Sequence, residues 1–343
     1  MHVPLPGGAS LCKTTRSRNA VWLDPRHDSQ GAKLSYDYSM LPTIQNAAEL
    51  RAVLGDGVLL GQAAQVISAR HRLPFHGLHM PTSSFPVLVH DRYVVKLIPH
   101  RFRAKFEAER TMLALVHGKL PVATPEIVAV GELGDWDYLV MTRIAGRAAS
   151  AALKTVSDAE QRPVLRAIGE LIACIQQLPA PDPLATDWPR FVDTLVAGCA
   201  QRHAKGGASP DFVSAIAERL AGVVPELATP VRLVPMHADV HTEHILVDDS
   251  LRVTGLLDFG DALIGDPLYD LVTPVTFFVR GRADLLAALI AGFGATPGPE
   301  LRRRCTAYQL LHQFSDLKRD ALLMSPSRQP ATLDAALAAL WPM

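Results

Sequence analysis

The stretch from His237 to Asp261 constrains this chain more than any other. It runs His237-Ala238-Asp239-Val240-His241-Thr242-Glu243-His244, then Ile245-Leu246-Val247, Asp248-Asp249-Ser250-Leu251-Arg252, Val253-Thr254-Gly255-Leu256-Leu257 and Asp258-Phe259-Gly260-Asp261. The two apolar, partly β-branched runs are strand chemistry. Asp248-Asp249-Ser250 between them is turn chemistry, because short polar side chains hydrogen-bond their own backbone. Folding the hairpin about Asp249-Ser250 brings its open ends together. His244 then lies near Asp258, with Asp239 on the loop just before. Groups able to hold a metal or take a proton converge at one edge.

Phosphoryl transfer requires such an arrangement. One carboxylate orients and deprotonates the attacking hydroxyl, and another holds Mg²⁺ against the nucleotide phosphates. The pattern is similar to the paired kinase motifs H-x-D-x-x-x-x-N and D-F-G. It departs from them at position 244, where His stands in place of Asn. A lone Asp-Phe-Gly is compatible with an ordinary hairpin carrying solvated carboxylates. Two motifs in the right order, one hairpin apart, point past that reading.

At 343 residues the chain is longer than one core usually supports, and two lobes are expected. Lys+Arg and Asp+Glu balance at 34 each, so there is no general attraction to nucleic acid or membrane. No stretch interleaves basic and aromatic residues as a nucleic-acid surface does. Acids nonetheless concentrate between Val231 and Asp270, where Asp239, Glu243, Asp248, Asp249, Asp258, Asp261, Asp266 and Asp270 meet only Arg232 and Arg252. A locally negative cleft suits a divalent cation and a cationic substrate; Asp248 and Asp249 are set aside as turn residues. Cys12, Cys174, Cys199 and Cys305 are scattered with no C-x-x-C pair, which gives a zinc or redox motif no support and fits reduced thiols in the cytoplasm. No apolar run approaches the roughly 18 residues of a membrane span. Residues 1–39 carry Pro4, Pro6, Gly7 and Gly8, then Lys13, Arg16 and Arg18, with no acid before Asp24. They lack the apolar core of a secretion signal and are expected to form a poorly ordered extension.

Residues 40–143 are expected to form a small β-rich lobe, opened by short helices over Asn46 to Leu54 and Leu59 to Ile67. Phe85 to His90 and Tyr93 to Ile98 make a hairpin about Asp91-Arg92, with Val94, Lys96 and Ile98 on one face. A lysine on an apolar strand face is costly unless it meets an anion. An edge lysine that snorkels outward is the bland alternative; a strand position just before an amphipathic helix favours nucleotide phosphate. In that helix, Arg101 to His117, the residues Phe102, Phe106, Leu113 and Val116 recur at helical steps; Glu109 shares their stripe and Glu107 does not. An inward carboxylate needs a cation, so Glu109 is the expected partner of Lys96. The loop Pro81-Thr82-Ser83-Ser84 has no G-x-G-x-x-G, but the hydroxyls and N–H groups of Ser83 and Ser84 are candidates to cover phosphates. Strands follow at Ile127 to Val130 and Tyr138 to Met141. The pattern stops at Thr142-Arg143-Ile144-Ala145-Gly146, read as a lobe-connecting hinge where Met141 and Arg143 sit beside an adenine edge.

Residues 144–343 turn helical. Val164, Leu165, Ile168, Leu171, Ile172 and Ile175 form a helix stripe, and Phe212 to Leu220 a further helix. Gly265-Asp266-Pro267 turns into Tyr269-Asp270. Helices are expected at Ala283 to Phe293, about Glu300 to Leu317, and Leu333 to Leu340.

With His237-Ala238-Asp239-Val240-His241 and Asp258-Phe259-Gly260-Asp261 through Gly265-Asp266-Pro267-Leu268-Tyr269-Asp270, the chain resembles the aminoglycoside phosphotransferase family from about Ala47 to Phe314. That family's loop runs H-G-D-[LVF]-H-x-x-N, and His241 matches its second histidine. No activation segment ending in A-P-E follows Asp258, which separates the chain from protein kinases. Stretches such as Ser84-Phe85-Pro86-Val87-Leu88-Val89 and Phe278-Val279-Arg280-Gly281 are similar to hygromycin B kinases acting at the 7″ hydroxyl. The resemblance implies an α+β, bilobal, protein-kinase-like fold with a larger, mostly helical second lobe. It implies ATP as donor, with GTP the alternative, and Mg²⁺, with Mn²⁺ the alternative. Asp239 would orient the acceptor hydroxyl, Asp258 and His244 would hold the metal, and Lys96 steadied by Glu109 would contact the α and β phosphates. Glu243, Asp261 and Asp316 would face the acceptor, a cationic sugar. Imidazole is a poorer Mg²⁺ ligand than an amide oxygen, so Glu243 is a substitute ligand. Kinases of other small alcohols or amines (fructosamine, macrolide, choline, homoserine) and a nucleotide-binding pseudokinase remain the alternatives. A monomer is expected, with a dimer the other possibility.

Overall fold

Hydrophobic alternation organises the first part of the chain. The computed structural model describes residues 40–74, 78–79, 84–324 and 332–343. The expected extension over residues 1–39 lies outside them, as does Ser83. Two helices, α1 (Ala47–Gly55) and α2 (Gly57–His71), meet at Asp56, whose carboxylate caps the second by accepting from Leu59 N–H. An antiparallel sheet of β1 (Leu78–His79), β2 (Val87–Val89), β3 (Tyr93–Pro99), β4 (Ile127–Leu133) and β5 (Trp136–Thr142) follows, in the order β1-β2-β3-β5-β4. The inner strand β5 is buried from Trp136 to Met141, and Trp136 Nε1 donates to the Pro42 carbonyl at 2.9 Å. Helix α3 (Arg103–Val116) packs Phe106, Ala108, Glu109, Met112, Leu113 and Val116 inward.

Beyond β5 the chain is mostly helical. β6 (Arg147–Ala148) and α4 (Ala149–Ala152) lead into α5 (Asp158–Gln176), started by a reciprocal Ser157–Glu160 capping box. α6 (Trp188–Lys205), α7 (Pro210–Ala221) and α8 (Val224–Ala228) follow. Four short strands then build the site: β7 (Val234–Met236), β8 (Ile245–Val247), β9 (Val253–Leu256) and β10 (Leu263–Gly265). β8 pairs with β6 and β9; β10 pairs with β7. After one turn, α9 (Val272–Pro274), and a π-helical turn Val275–Val279, come α10 (Ala283–Phe293), α11 (Pro299–Leu311), α12 (Leu317–Met324) and α13 (Leu333–Leu340). α5 lies directly on α10: a Cβ on Gly292 would stand 2.0 Å from the Arg166 carbonyl oxygen, so only glycine permits this approach. Among the described residues no single helix is long and apolar enough to cross a membrane.

Two expectations need correction. The helix read over Glu300 to Leu317 is two helices, broken at 312–316. There Ser315 N–H donates to the His312 carbonyl at 2.8 Å, and the Asp316 carboxylate caps α12 through Arg319 N–H at 3.1 Å. Ser315 and Asp316 offer local hydrogen bonds that outcompete helix continuation. The second is an omission. Helix α6 has a sparse stripe of Trp188, Val192, Leu195, Cys199 and His203, although Asp187 and Pro189 mark its start.

Candidate active site

The hairpin β8–β9 carries the site. Its turn is closed by Asp248, whose Oδ1 accepts from Ser250 and Arg252 N–H at 2.9 Å each. Leu257 N–H donates to the His244 carbonyl at 2.9 Å, so the loops entering and leaving the hairpin stay side by side. Asp239 and Asp258 thereby flank one imidazole. His244 Nδ1 lies 3.7 Å from Asp239 Oδ2, and Nε2 lies 3.7 Å from Asp258 Oδ2. Nδ1 is also 2.8 Å from the Asp239 carbonyl oxygen. A carbonyl only accepts, so Nδ1 carries a proton, and Nε2 is the nitrogen that faces Asp258.

The loop before the hairpin is strained and pinned. Ala238 has φ 61°, and Asp258, on the other side, has φ 62°. L-residues pay about 1–2 kcal/mol there. Asp270, 1% exposed, holds the first bend by accepting from Ala238 N–H at 2.7 Å and His237 N–H at 3.3 Å. His237 Nε2 donates to the Leu257 carbonyl at 3.0 Å, and its Nδ1 accepts from Asp239 N–H at 3.2 Å. Burial first, then nearby His244, pushes His237 down to about 4, so it is a neutral strut. Asp270 went unread as a pin. An acid amid an apolar run must find donors, but nothing in the run says that they are the Ala238 and His237 N–H groups.

Lys96 closes the site from the sheet. Its Nζ is 2.7 Å from Glu109 Oε2 and 2.9 Å from Asp258 Oδ1. Lys96 and Glu109 are 5% and 2% exposed; Glu107 instead pairs outward with Arg110 at 2.6 Å. Burial opposes the charge on Lys96, but Asp258 and Glu109 outweigh it and hold the ammonium above its usual range. Burial likewise works to raise Asp258, and Lys96 and His244 overcome it, leaving that carboxylate well below its usual range. Asp239 behaves oppositely: burial, reinforced by Asp261 and Asp258 against His244, pushes it up to about 6. The two aspartates are thus split into a strong anion and a proton acceptor of near-neutral affinity.

The remaining candidates are dispersed. Ser84 is exposed. Met141 pairs with Val94 within the sheet, and Arg143 N–H donates to the Arg92 carbonyl at 2.9 Å. Glu243 is exposed, its N–H bonded to His241 Nδ1 at 3.2 Å. Asp261 is already engaged by Lys105 Nζ at 2.5 Å and Gln313 Nε2 at 2.9 Å. Asp316 is the α12 cap described above. A second imidazole–carboxylate group, His100, Glu132 and Asp137, is filled by the Arg103 guanidinium, 2.6 Å from Glu132 and 2.8 Å from Asp137.

A small antiparallel sheet contributing Lys96 and its packed helix α3 contributing Glu109, over a helical region contributing two aspartates on a hairpin, define a protein-kinase-like phosphotransferase. The profile of the phosphotransferase enzyme family matches residues 82–308, and the chain belongs to that family. Solved structures agree on the fold. The GDP and kanamycin complex of APH(2″)-IIIa superposes with a TM-score of 0.59 at 16% identity, covering 73% of this chain and 89% of that one. Aminoglycoside phosphotransferase APH(3″)-Id from Streptomyces rimosus gives 0.54 at 18% identity, over 73% and 98%. Macrolide 2′-phosphotransferase MphH from Brachybacterium faecium gives 0.53 at 23%, over 82% and 99%. A curated relative, the uncharacterized protein YcbJ of Bacillus subtilis, is 49% identical over 43 residues, which is 12% of this chain and 14% of that protein's length.

Proposed function

We propose that this enzyme moves the γ-phosphoryl group of ATP, with GTP the alternative donor, to a hydroxyl of a small molecule. The observation that carries this reading is the relay of Asp239, His244 and Asp258 at 3.7 Å steps, closed by Lys96 at 2.9 Å from Asp258. Asp239, at about 6, accepts the acceptor's O–H proton as its oxygen bonds to the γ-phosphorus. The bond from the γ-phosphorus to the β–γ bridging oxygen breaks, and the diphosphate leaves with that electron pair. Lys96, held charged, supports the α and β phosphates. Backbone near Met141 to Ile144 takes the base, and Ser84 lies at the phosphate-covering loop.

The donor set suits a divalent cation: the anionic Asp258 carboxylate faces His244 Nε2 at 3.7 Å. Imidazole in place of an amide shifts preference from Mg²⁺ toward Mn²⁺. When bound, such a cation neutralises charge on the transferring group. Aminoglycosides, hygromycin B among them, are the acceptors the sequence resemblance implies. Macrolides are the second class, supported by the likeness to a macrolide 2′-phosphotransferase. Free thiols at Cys174, Cys199 and Cys305 support a reducing compartment, the cytoplasm, and we propose a monomer there. Residues 144–343 form the lobe that holds the acceptor.

The test incubates the purified chain with γ-labelled ATP or GTP, Mg²⁺ or Mn²⁺, and an acceptor panel. Label should appear on an acceptor, with more in Mn²⁺ than in Mg²⁺. Nucleotide binding without label transfer to any acceptor would overturn the reading.

A further inference from the structure

Helix α3 grips the segment that follows the hairpin at two places. Glu109 holds Lys96, and Lys96 holds Asp258. Lys105, one helical turn before Glu109 and on the same side of α3, reaches Asp261 directly, its Nζ 2.5 Å from Oδ1. The same oxygen accepts from Gln313 Nε2 at 2.9 Å. Lys105 Nζ also stands 6.0 Å from the Phe314 ring centroid. Among the described residues Lys105 has no other ion pair, and the side-chain hydrogen bonds to Asp261 come from Lys105 and Gln313.

The loop between Asp258 and Ala262 has little of its own to hold it. It starts from the positive φ of Asp258, 62°. Gly260 N–H reaches Asp258 Oδ1 only at 3.3 Å, beyond the usual hydrogen-bond range, and Ala262 N–H donates to the Phe259 carbonyl at 3.1 Å. Phe259 is fully buried with its ring 4.8 Å from that of His237, which anchors the middle of the loop. Its far end depends on Asp261. The Lys105–Asp261 pair is partly exposed, at 33% and 16%, so it contributes little to global stability. What such a pair can do is select one loop position among several of similar energy.

We propose that Lys105 is a positioning residue: its ion pair with Asp261 keeps the 258–262 loop, and with it the Asp258 carboxylate, where a nucleotide-bound cation meets it. This rests on the reading of Asp258 as the carboxylate for that cation. Lys105 acts through Asp261 and not on the phosphates. With the pair broken, the loop holds Asp258 in place for only part of the time, and the apparent affinity for nucleotide and cation falls by that fraction.

Calorimetry with Mn²⁺ and a non-hydrolysable ATP analogue reads this without turnover. Lys105→Met should weaken binding about fivefold, the loss expected if the loop is in place a fifth of the time. Lys105→Arg should stay within about twofold of the unaltered chain, since the ion pair is kept. In an Asp261→Asn background, Lys105→Met should change affinity by less than about twofold, because the two residues act as one unit. Hydrogen exchange without nucleotide supplies a second readout. Lys105→Met should speed exchange at the Gly260 and Ala262 amides about fivefold and leave α10 unchanged. Unaltered affinity in Lys105→Met, an equal loss in the Asp261→Asn background, or unaltered exchange at 260 and 262 would overturn the proposal; the second result would mean that Lys105 attracts the phosphates directly. Absence of nucleotide binding by the unaltered chain would instead count against the phosphotransferase reading, and the exchange rates would then decide the role of Lys105 in the loop.

Discussion

Replacing Lys96 by Met should expose how much the buried ion pair holds the sheet to the hairpin. Lys96 Nζ sits 2.7 Å from Glu109 Oε2 and 2.9 Å from Asp258 Oδ1. At an effective dielectric of about 20, each contact is worth about 6 kcal/mol of Coulomb attraction before desolvation is counted. Desolvating the ammonium and Glu109, whose side chains are 6% and 3% exposed, offsets most of it. The Asp258 contact counts for less, because that side chain is 40% exposed. Lys96→Met leaves Glu109 as a buried carboxylate with no cation, an uncompensated charge that costs about 3–5 kcal/mol. Glu109→Gln should cost less, about 1–2 kcal/mol, since Lys96 keeps Asp258 and only one charge-assisted contact is lost. The double variant should recover part of the loss, because no unpaired charge remains. Urea unfolding of the four proteins without nucleotide, followed by circular dichroism, gives the coupling energy, expected at about 1–3 kcal/mol. Additive single effects, or a loss below about 1 kcal/mol in Lys96→Met, would refute the reasoning.

Three further outcomes follow from the same site. Ala238→Gly should raise stability by about 0.5–1 kcal/mol in the same unfolding assay, because relief at φ 61° exceeds the extra freedom of unfolded glycine; a loss would mean that the bend is unstrained. Burial lowers His312 from 6.5 to about 4, so the unfolded chain binds more protons between those values. Its contribution to stability is present above about 6.5 and is lost as pH falls toward 4; His312→Gln should flatten that slope in thermal melts, and an unchanged slope would contradict the assignment. Asp266, fully buried, accepts from Tyr308 Oη at 2.7 Å and from Leu268 N–H at 3.0 Å and pairs with Arg304. Asp266→Asn should cost about 3 kcal/mol of stability, and a near-neutral effect would show that Arg304 finds another partner.

What the sequence revealed was local. The hairpin, its turn at Asp248 and the choice of Glu109 over Glu107 follow from short-range periodicity, and the geometry matches at each point. The pinning of the loop by Asp270 was illegible because it links residues 32 apart at the main chain of Ala238, which no side-chain pattern advertises. The Lys105–Asp261 pair joins residues 156 apart, so no local pattern shows that a cation of the chain already meets the acid read as facing the acceptor. The surroundings of Asp239 stayed hidden for a related reason. The break at 312–316 brings Phe314 and Arg319 beside Phe277, and a continuous helix from Glu300 to Leu317 would have kept them from view.

The central claim is that Asp239 takes the proton from an acceptor hydroxyl. Asp239→Asn keeps the side chain's shape and removes its basicity. With an acceptor found by the panel, single-turnover label transfer from ATP should fall by about 10²–10⁴, the range attributed to general base catalysis, while ATP affinity by calorimetry stays within about twofold. Transfer at the unaltered rate in Asp239→Asn would contradict the account.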